Sequence, residues 1–84
     1  MEAFITAYAT VGYVRVDSPS LDVGVEKVAL YVGPDQSPAH AARQLDNGRW
    51  ISKLGPGMDI EHELKWLEGE QYGLVAAILA RRRT

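Results

Sequence analysis

The sequence predicts an α+β domain in which an N-terminal helix and a second helix pack against one face of a mainly antiparallel sheet of four or five strands. Three observations support this fold class. Residues 26–32 place large apolar side chains at every second position, residues 74–80 are apolar throughout, and Asn47-Gly48 is the strongest short signal for a β-hairpin. We expect the 84 residues to form a single domain over residues 1–84.

Composition and charge restrict the class of protein. The chain is 46% hydrophobic and 24% charged, which is ordinary for a globular domain. Its net charge of -2 and its pI near 5.6 argue against nucleic acid as a partner. The absence of cysteine excludes disulfides, thiolate zinc sites and cysteine nucleophiles. The longest apolar run, residues 74–80, falls short of the about 20 residues that span a bilayer, so we expect a soluble, cytoplasmic protein with no membrane partner.

The first predicted element is a helix over residues 2–10. Three large side chains lie there at helical spacing: Phe4, Ile5 and Tyr8. Gly12 follows as a residue that commonly terminates helices. The alternative is a strand, because phenylalanine, isoleucine and tyrosine also favour sheets. A short strand over 13–16 and a loop over 17–24, rich in Ser, Pro, Asp and Gly, come next.

The clearest predicted strand covers residues 26–32. Its alternation assigns six side chains to two faces: Val28, Leu30 and Val32 on one, and Lys27, Ala29 and Tyr31 on the other. The turn residues 33–35 end this strand. Residues 74–80 predict the last strand, and their continuous apolarity indicates burial on both faces. We expect this strand inside the sheet, because so apolar a strand would aggregate if it lay at an edge.

A β-hairpin is predicted over residues 39–54. If Asn47 and Gly48 alone form its loop, in a type I′ turn, Leu45 faces Trp50 across the two strands. This register assigns one face to the core: Ala41, Leu45, Trp50 and Leu54. The other face then carries three polar side chains: His40, Gln44 and Lys53. A slip of one residue would exchange the two faces.

Residues 59–68 predict the second helix. Asp59 is a suitable N-cap, and an apolar stripe at helical spacing comprises Ile60, Leu64 and Leu67. Glu61 and Lys65 would form an i,i+4 ion pair on the exposed side. We expect five apolar side chains of this helix and the last strand to be buried: Leu64, Leu67, Leu74, Val75 and Ile78.

Six polar residues of the hairpin and the second helix are the candidate ligand-binding residues: His40, Arg43, Gln44, Ser52, Lys53 and His62. The predicted face with His40, Gln44 and Lys53 suits a phosphate or a carboxylate, because lysine attracts an anion and repels a metal cation. We therefore expect no metal site and no cofactor. The alternative is an ordinary solvated sheet face, with both histidines making local hydrogen bonds.

His62 falls in the first turn of the predicted helix. The helix dipole disfavours a cation there, so the imidazole would hold its proton less readily and could act as an acceptor or a base. The fold could also bring Ser52 next to a histidine, although no sequence motif supports such a pair.

A set of short motifs covers about two thirds of the chain, from residue 26 to the end. In one-letter code they read HAARQL..G.W.SKLG...DI.H....L.G..YG, beginning at His40 and ending at Gly73. This combination resembles an uncharacterised family of small bacterial and phage-borne domains. The resemblance implies no particular activity.

The chain also resembles, over a shorter stretch, the sheet of papain-like hydrolases of the NlpC type. Residues 28–33 correspond to a strand of that sheet, which leads to a second strand opening with His-Ala, here His40-Ala41. The family's cysteine has no counterpart in this chain, and Glu26 stands about where its catalytic histidine is expected. The resemblance implies a shared sheet without peptidase activity.

Three functions from different classes are open. The first is a small non-enzymatic binding protein for an anionic, nucleotide-like ligand or a protein partner, such as a phage-type inhibitor or sponge. The second is a hydrolase-like enzyme with His40 or His62 as its base. The third is a structural homo-oligomer, which an exposed apolar patch around three residues would support: Phe4, Tyr8 and Tyr13.

Overall fold

The computed structural model describes residues 2–35, 37–55, 57–69 and 72–83. Two helices and six strands follow one another in these residues: α1 Glu2–Ala9, β1 Val14–Val16, β2 Val25–Val32, β3 Pro38–Gln44, β4 Trp50–Gly55, β5 Met58–His62, α2 Leu64–Leu67 and β6 Leu74–Arg82. The strands form one antiparallel sheet in the order β1-β6-β2-β3-β4-β5. The α+β class is therefore right in outline, but the sheet has more strands than the four or five that we expected.

The apolar run near the end of the chain lies inside the sheet, as predicted. β6 pairs with β1 on one side and with β2 on the other, where its partners run from Val25↔Arg82 to Val32↔Leu74. Its central residues are buried on both faces. Leu74 lies at the start of the strand and is 60% exposed, so the expectation that it is buried is wrong.

The two helices cover opposite faces of the sheet, which corrects the expectation that both pack on one face. Alternation along β2 sends Val28 and Leu30 to the face that we call the α1 face, where Ile5 and Tyr8 of α1 pack on them. It sends Ala29 and Tyr31 to the α2 face, together with three partners: Leu64, Leu67 and Trp50. Because β2 and β6 are apolar on both sides, each face needs its own cover.

The turn of the hairpin differs from the prediction by one residue. Gly48 N–H donates to the Leu45 carbonyl at 3.0 Å, and Leu45 N–H donates to the Arg49 carbonyl at 2.7 Å. The loop therefore has three residues, 46–48, and Gly48 takes the left-handed conformation with φ of 87°. The Asn47 carboxamide oxygen accepts the Arg49 N–H at 2.9 Å and holds this turn.

The longer loop shifts the strand register. Gln44 pairs with Trp50 and Arg43 pairs with Ile51, so the predicted pairing of Leu45 with Trp50 is wrong. Since a shift of one residue exchanges the faces of one strand relative to its neighbour, Lys53 leaves the face that His40 and Gln44 share, and the polar face predicted for the hairpin does not form. The prediction for the Leu54 side chain lies outside the described residues, as does that for the Phe4 side chain.

The region predicted as one long helix begins instead as an edge strand. β5 pairs with β4 through Trp50↔His62, Ser52↔Ile60 and Lys53↔Asp59. Its sequence alternates exposed acidic residues with inward side chains, which is a strand period that coincides with the helical spacing of the leucines. Pairing with β4 outweighs local helix propensity, and the helix shrinks to the single turn of α2.

Two local interactions predicted for that helix are therefore wrong. Asp59 is a strand residue rather than an N-cap. The Glu61 carboxylate forms an ion pair with the guanidinium of Arg49 at 2.9 Å, and not the predicted pair with Lys65. Both corrections follow from the same cause, because in a strand Asp59 and Glu61 project from one face of the sheet, opposite Lys53 and Ile51 of β4.

A buried lysine fixes the loop over residues 17–24 on the α2 face. The side chain of Lys27 is 2% exposed, and its ammonium contacts the carboxylate of Asp22 at 2.7 Å. It also donates to the carbonyls of Ser18 and Ser20, at 2.8 and 2.7 Å. Three acceptors thus compensate a buried charge, and the loop becomes the cover of this part of the sheet.

Candidate functional site

The observed register divides the six candidate residues between the two faces of the sheet. Four lie on the α2 face: His40, Gln44, Ser52 and His62. The other two, Arg43 and Lys53, lie on the α1 face and are exposed. The predicted combination of His40, Gln44 and Lys53 on a single face is therefore wrong.

Ser52 and His62 form a buried hydrogen-bonded pair. The Ser52 hydroxyl oxygen lies 2.6 Å from Nε2 of His62, and Nδ1 of His62 lies 2.8 Å from the Glu63 carbonyl oxygen. Because a carbonyl only accepts, Nδ1 carries a proton, and in the neutral ring Nε2 accepts from the hydroxyl. Ser52 and His62 are diagonal neighbours on β4 and β5, and this relation creates the pair that the sequence alone left open. His62 lies in a strand, so the predicted influence of a helix dipole does not arise.

The indole of Trp66 covers His62. The two rings are stacked, with centroids 6.3 Å apart and planes inclined by 28°. His62 and Ser52 are each only 2% exposed. Gln44 is similarly enclosed, and its carboxamide nitrogen donates to the carbonyls of Pro19 at 2.8 Å and Gly48 at 3.2 Å. The hydrogen bonds of these three polar side chains therefore connect β4 with β5, and β3 with the turn at Gly48 and the loop at Pro19.

His40 occupies a different environment at the other end of β3. Its ring lies 5.6 Å from Tyr31 and 5.2 Å from Tyr72, measured between centroids. Its Nε2 atom is buried and has no hydrogen-bond partner in the part of the chain that the structure describes. Burial, and to a smaller extent the nearby His62, lower the pKa of His40, so its ring is neutral at neutral pH.

The two tyrosines beside His40 are held in place by backbone contacts. The Tyr31 hydroxyl donates to the Leu64 carbonyl at 2.9 Å, and burial raises the pKa of Tyr31 to about 12. Tyr72 is followed by Gly73, which has φ of 84° and approaches the Val32 carbonyl so closely that no Cβ would fit. His40 thus contacts two aromatic rings, edge-on to Tyr31 and tilted against Tyr72.

The two cations on the α1 face border a shallow pocket of about 320 Å³. Five residues line it: Arg43, Ile51, Ser52, Lys53 and Asp59. Arg43 and Lys53 are diagonal neighbours on β3 and β4, a relation that places side chains roughly 7–8 Å apart. Lys53 lies 3.9 Å from the Asp59 carboxylate, and both side chains are largely exposed. Arg43 forms no ion pair or hydrogen bond with the residues that the structure describes.

Neither a metal site nor a membrane-spanning helix is found among the described residues. No three His, Asp or Glu side chains among them lie close enough together to hold a metal ion. Neither helix in this part of the chain is long and apolar enough to cross a membrane.

Lys27 is the important polar residue that sequence reasoning did not single out. The signal was present, because Lys27 alternates with Ala29 and Tyr31 on one face of an otherwise apolar strand. A lysine at such a position must be solvated or fully paired. Its three acceptors come from a loop whose path the sequence does not specify.

The geometry describes a small antiparallel sheet domain, with one short helix on each face and its open polar groups on the strands of the hairpin. By sequence, the chain belongs to the family described as a domain of unknown function, DUF7689, whose model matches residues 1–80. This confirms the expected membership of an uncharacterised family. No curated protein and no solved structure matches the chain.

Proposed function

We propose that this protein is a non-enzymatic binding module that takes a small anionic, nucleotide-like ligand on the α1 face, between Arg43 and Lys53. The observation that carries the proposal is the state of Arg43. Arg43 is an exposed residue at the border of a 320 Å³ pocket, and its guanidinium forms no hydrogen bond or ion pair with the described residues.

Three other cations of the described residues are already held by close carboxylates. Lys27 contacts Asp22 at 2.7 Å, and Arg49 and Arg81 each contact a glutamate at 2.9 Å. The contact of Lys53 with Asp59 is longer, and an exposed pair of this kind contributes little free energy. Arg43 and Lys53 are therefore two cations on one face that can turn to an external anion at little cost.

The chemistry of the pocket suits an organic anion better than a bare ion. The planar guanidinium of Arg43 can bind a phosphate or a carboxylate through two parallel N–H donors, and Lys53 adds a point charge. The half-buried Ile51 between them offers an apolar contact. Asp59 at the rim can accept a hydrogen bond from an amino or hydroxyl group of the ligand.

Titration calorimetry tests this proposal with three probes: a nucleoside monophosphate, inorganic phosphate and a dicarboxylate. We expect the nucleotide to bind the wild type, and Arg43→Ala and Lys53→Ala to lose that binding with unchanged melting temperatures. Lys65→Ala is the matched control, because it removes an exposed lysine outside the pocket and should bind normally. Equal binding by all variants, or binding of none of the probes by the wild type, would contradict the proposal.

The biological role that we propose is depletion of the ligand, as a sponge or inhibitor in a bacterial or phage setting. The resemblance to small bacterial and phage-borne domains supports this setting. A sponge needs only an accessible site and no chemistry, which agrees with a shallow surface pocket on a small domain. Its partner would then be the ligand itself, in the cytoplasm.

A second candidate is a hydrolase-like function with His40 as its base. The unpartnered Nε2 atom of His40 favours it, because a neutral imidazole with an unpartnered nitrogen can take a proton from an attacking water once that buried atom is exposed to solvent. His62 is the weaker base candidate, because both of its ring nitrogens have partners and its ring is buried.

The pH dependence of turnover tests this second function. The active form is neutral, so the rate should fall as pH falls through the lowered pKa of His40 and should vanish in His40→Ala. Arg43→Ala is the control for this test, because Arg43 lies on the opposite face of β3 and its replacement should leave turnover unchanged. Turnover that survives in His40→Ala, or absence of turnover with ester and amide substrates, would contradict a catalytic His40.

A further inference from the structure

The two open edges of the sheet have different chemistry. β5 carries exposed acidic side chains along its edge, Asp59 and Glu61, which discourage pairing with another strand. β1 carries Val14 and Val16 on either side of Arg15, and Val14 is 64% exposed. Within the described residues, β1 pairs only with β6. The edge formed by β1 thus carries one cation between two valines, whereas the edge formed by β5 carries two carboxylates.

The charges at this edge are self-complementary in one register. Arg15 and Asp17 stand two residues apart, on either side of Val16. If two copies of β1 pair antiparallel about a two-fold axis through Val16, and the pairing continues one residue past the end of β1, Arg15 of each copy faces Asp17 of the partner subunit. Opposite charges directly across a strand pair are favourable, and the two-fold axis produces the contact twice. A register centred on Arg15 would instead place two like charges opposite each other.

We propose that two copies of this protein associate through β1, with Val16 on the two-fold axis, and so join their sheets into one continuous sheet. Asp17 is exposed and forms no hydrogen bond or ion pair with the described residues. Arg15 donates one N–H to the Ala76 carbonyl at 3.0 Å, and its guanidinium keeps other donors for the partner.

A groove beside β1 supports the same arrangement. It has a volume of about 340 Å³, and its walls combine Val14, Val16, Val25 and Ala80 with four charged residues, Asp22, Lys27, Arg81 and Arg82. In the proposed register Val16 of the partner subunit lies opposite Val16 and diagonal to Val14, so it would cover part of Val14. Because the paired segment is short, the interface is small, and we expect monomer and dimer to exchange as the protein is diluted.

Sedimentation equilibrium over a concentration series tests the proposal by charge reversal. Arg15→Asp and Asp17→Arg should each weaken the dimer roughly ten- to thirtyfold, because both cross-strand pairs become repulsive. The double variant Arg15→Asp/Asp17→Arg should restore it. An equimolar mixture of the two single variants should also dimerise, because every pair is then attractive.

Lys65→Asp serves as the control, because it reverses an exposed charge away from β1 and should leave the dimer unchanged. Circular dichroism checks that each single variant is folded, as the exposed positions lead us to expect. A wild type that is monomeric at every concentration would overturn the proposal. A dimer that persists equally in both single variants would overturn it as well.

Discussion

Strands β3 and β4 carry polar side chains on both faces, and the two sets have opposite fates. On the α2 face, Gln44 and Ser52 are buried, and each forms hydrogen bonds within the protein. On the α1 face, Arg43 and Lys53 are exposed and hold no close partner among the described residues. Residue type alone therefore does not separate structural polar groups from polar groups that are available to a ligand. The face to which the register directs each side chain makes that distinction.

This comparison has measurable consequences for stability. A buried polar atom that loses its partner costs about 1–3 kcal/mol, whereas an exposed substitution usually stays within about 0.5 kcal/mol. Variants on the α2 face should therefore unfold more readily than matched variants on the exposed surface.

The two tryptophans should show the largest contrast. Trp50 is 3% exposed on the α2 face, so Trp50→Ala should lower the free energy of unfolding by about 3–5 kcal/mol. Trp66 is 63% exposed, and Trp66→Ala should cost much less. Urea denaturation followed by circular dichroism measures both. Equal losses for the two variants would show that Trp50 is not part of the core.

The two lysines give the next contrast. Lys27→Met removes the donor to three acceptors and should cost about 2–4 kcal/mol. Lys53→Met removes a long, exposed ion pair and should change the free energy of unfolding by less than about 0.5 kcal/mol. The same denaturation experiment checks both. If Lys53→Met proved the more destabilising variant, the assignment of Lys53 to the open face would fail.

Variants of the Ser52–His62 pair distinguish the cost of removing one hydrogen-bond partner from the cost of removing both. Ser52→Ala should cost about 1–3 kcal/mol, because it leaves Nε2 of His62 buried without a partner. Adding His62→Phe should recover part of that loss, since both polar atoms are then gone. A double variant that loses the full sum of the two single effects would contradict direct coupling between these side chains.

The smallest expected effect is the pH dependence contributed by His40. Its pKa is lower in the folded protein than in the unfolded chain, where imidazole titrates near 6.5, so the unfolded state binds more protons below that pH. Stability should therefore fall as pH drops from about 6.5 through the lowered pKa. His40→Gln should remove this part of the slope in thermal melts. A wild type and a variant with identical slopes between pH 7 and 5 would contradict it.

Some parts of this protein follow from local sequence. The strand at 26–32, the opposite faces of Val28 and Leu30 and of Ala29 and Tyr31, and the interior position of the last strand were predicted and are confirmed. These segments have a single dominant pattern, in which alternation or continuous apolarity allows one arrangement only. Family membership also follows from sequence, because it depends on the order of residues and not on their contacts.

The partition of the candidate site was decided by tertiary structure. The type I′ loop and the three-residue loop at Asn47-Gly48 differ by one residue, and the Asn47 side chain together with the β3–β4 ladder selects the longer loop. Residues 59–68 satisfy both a helical and an alternating pattern, and pairing with β4 selects the strand for the first part. Sequence therefore identified which residue types the site contains. Only the long-range pairing, whose energy outweighs local propensity, determined which of them face the interior and which face solvent.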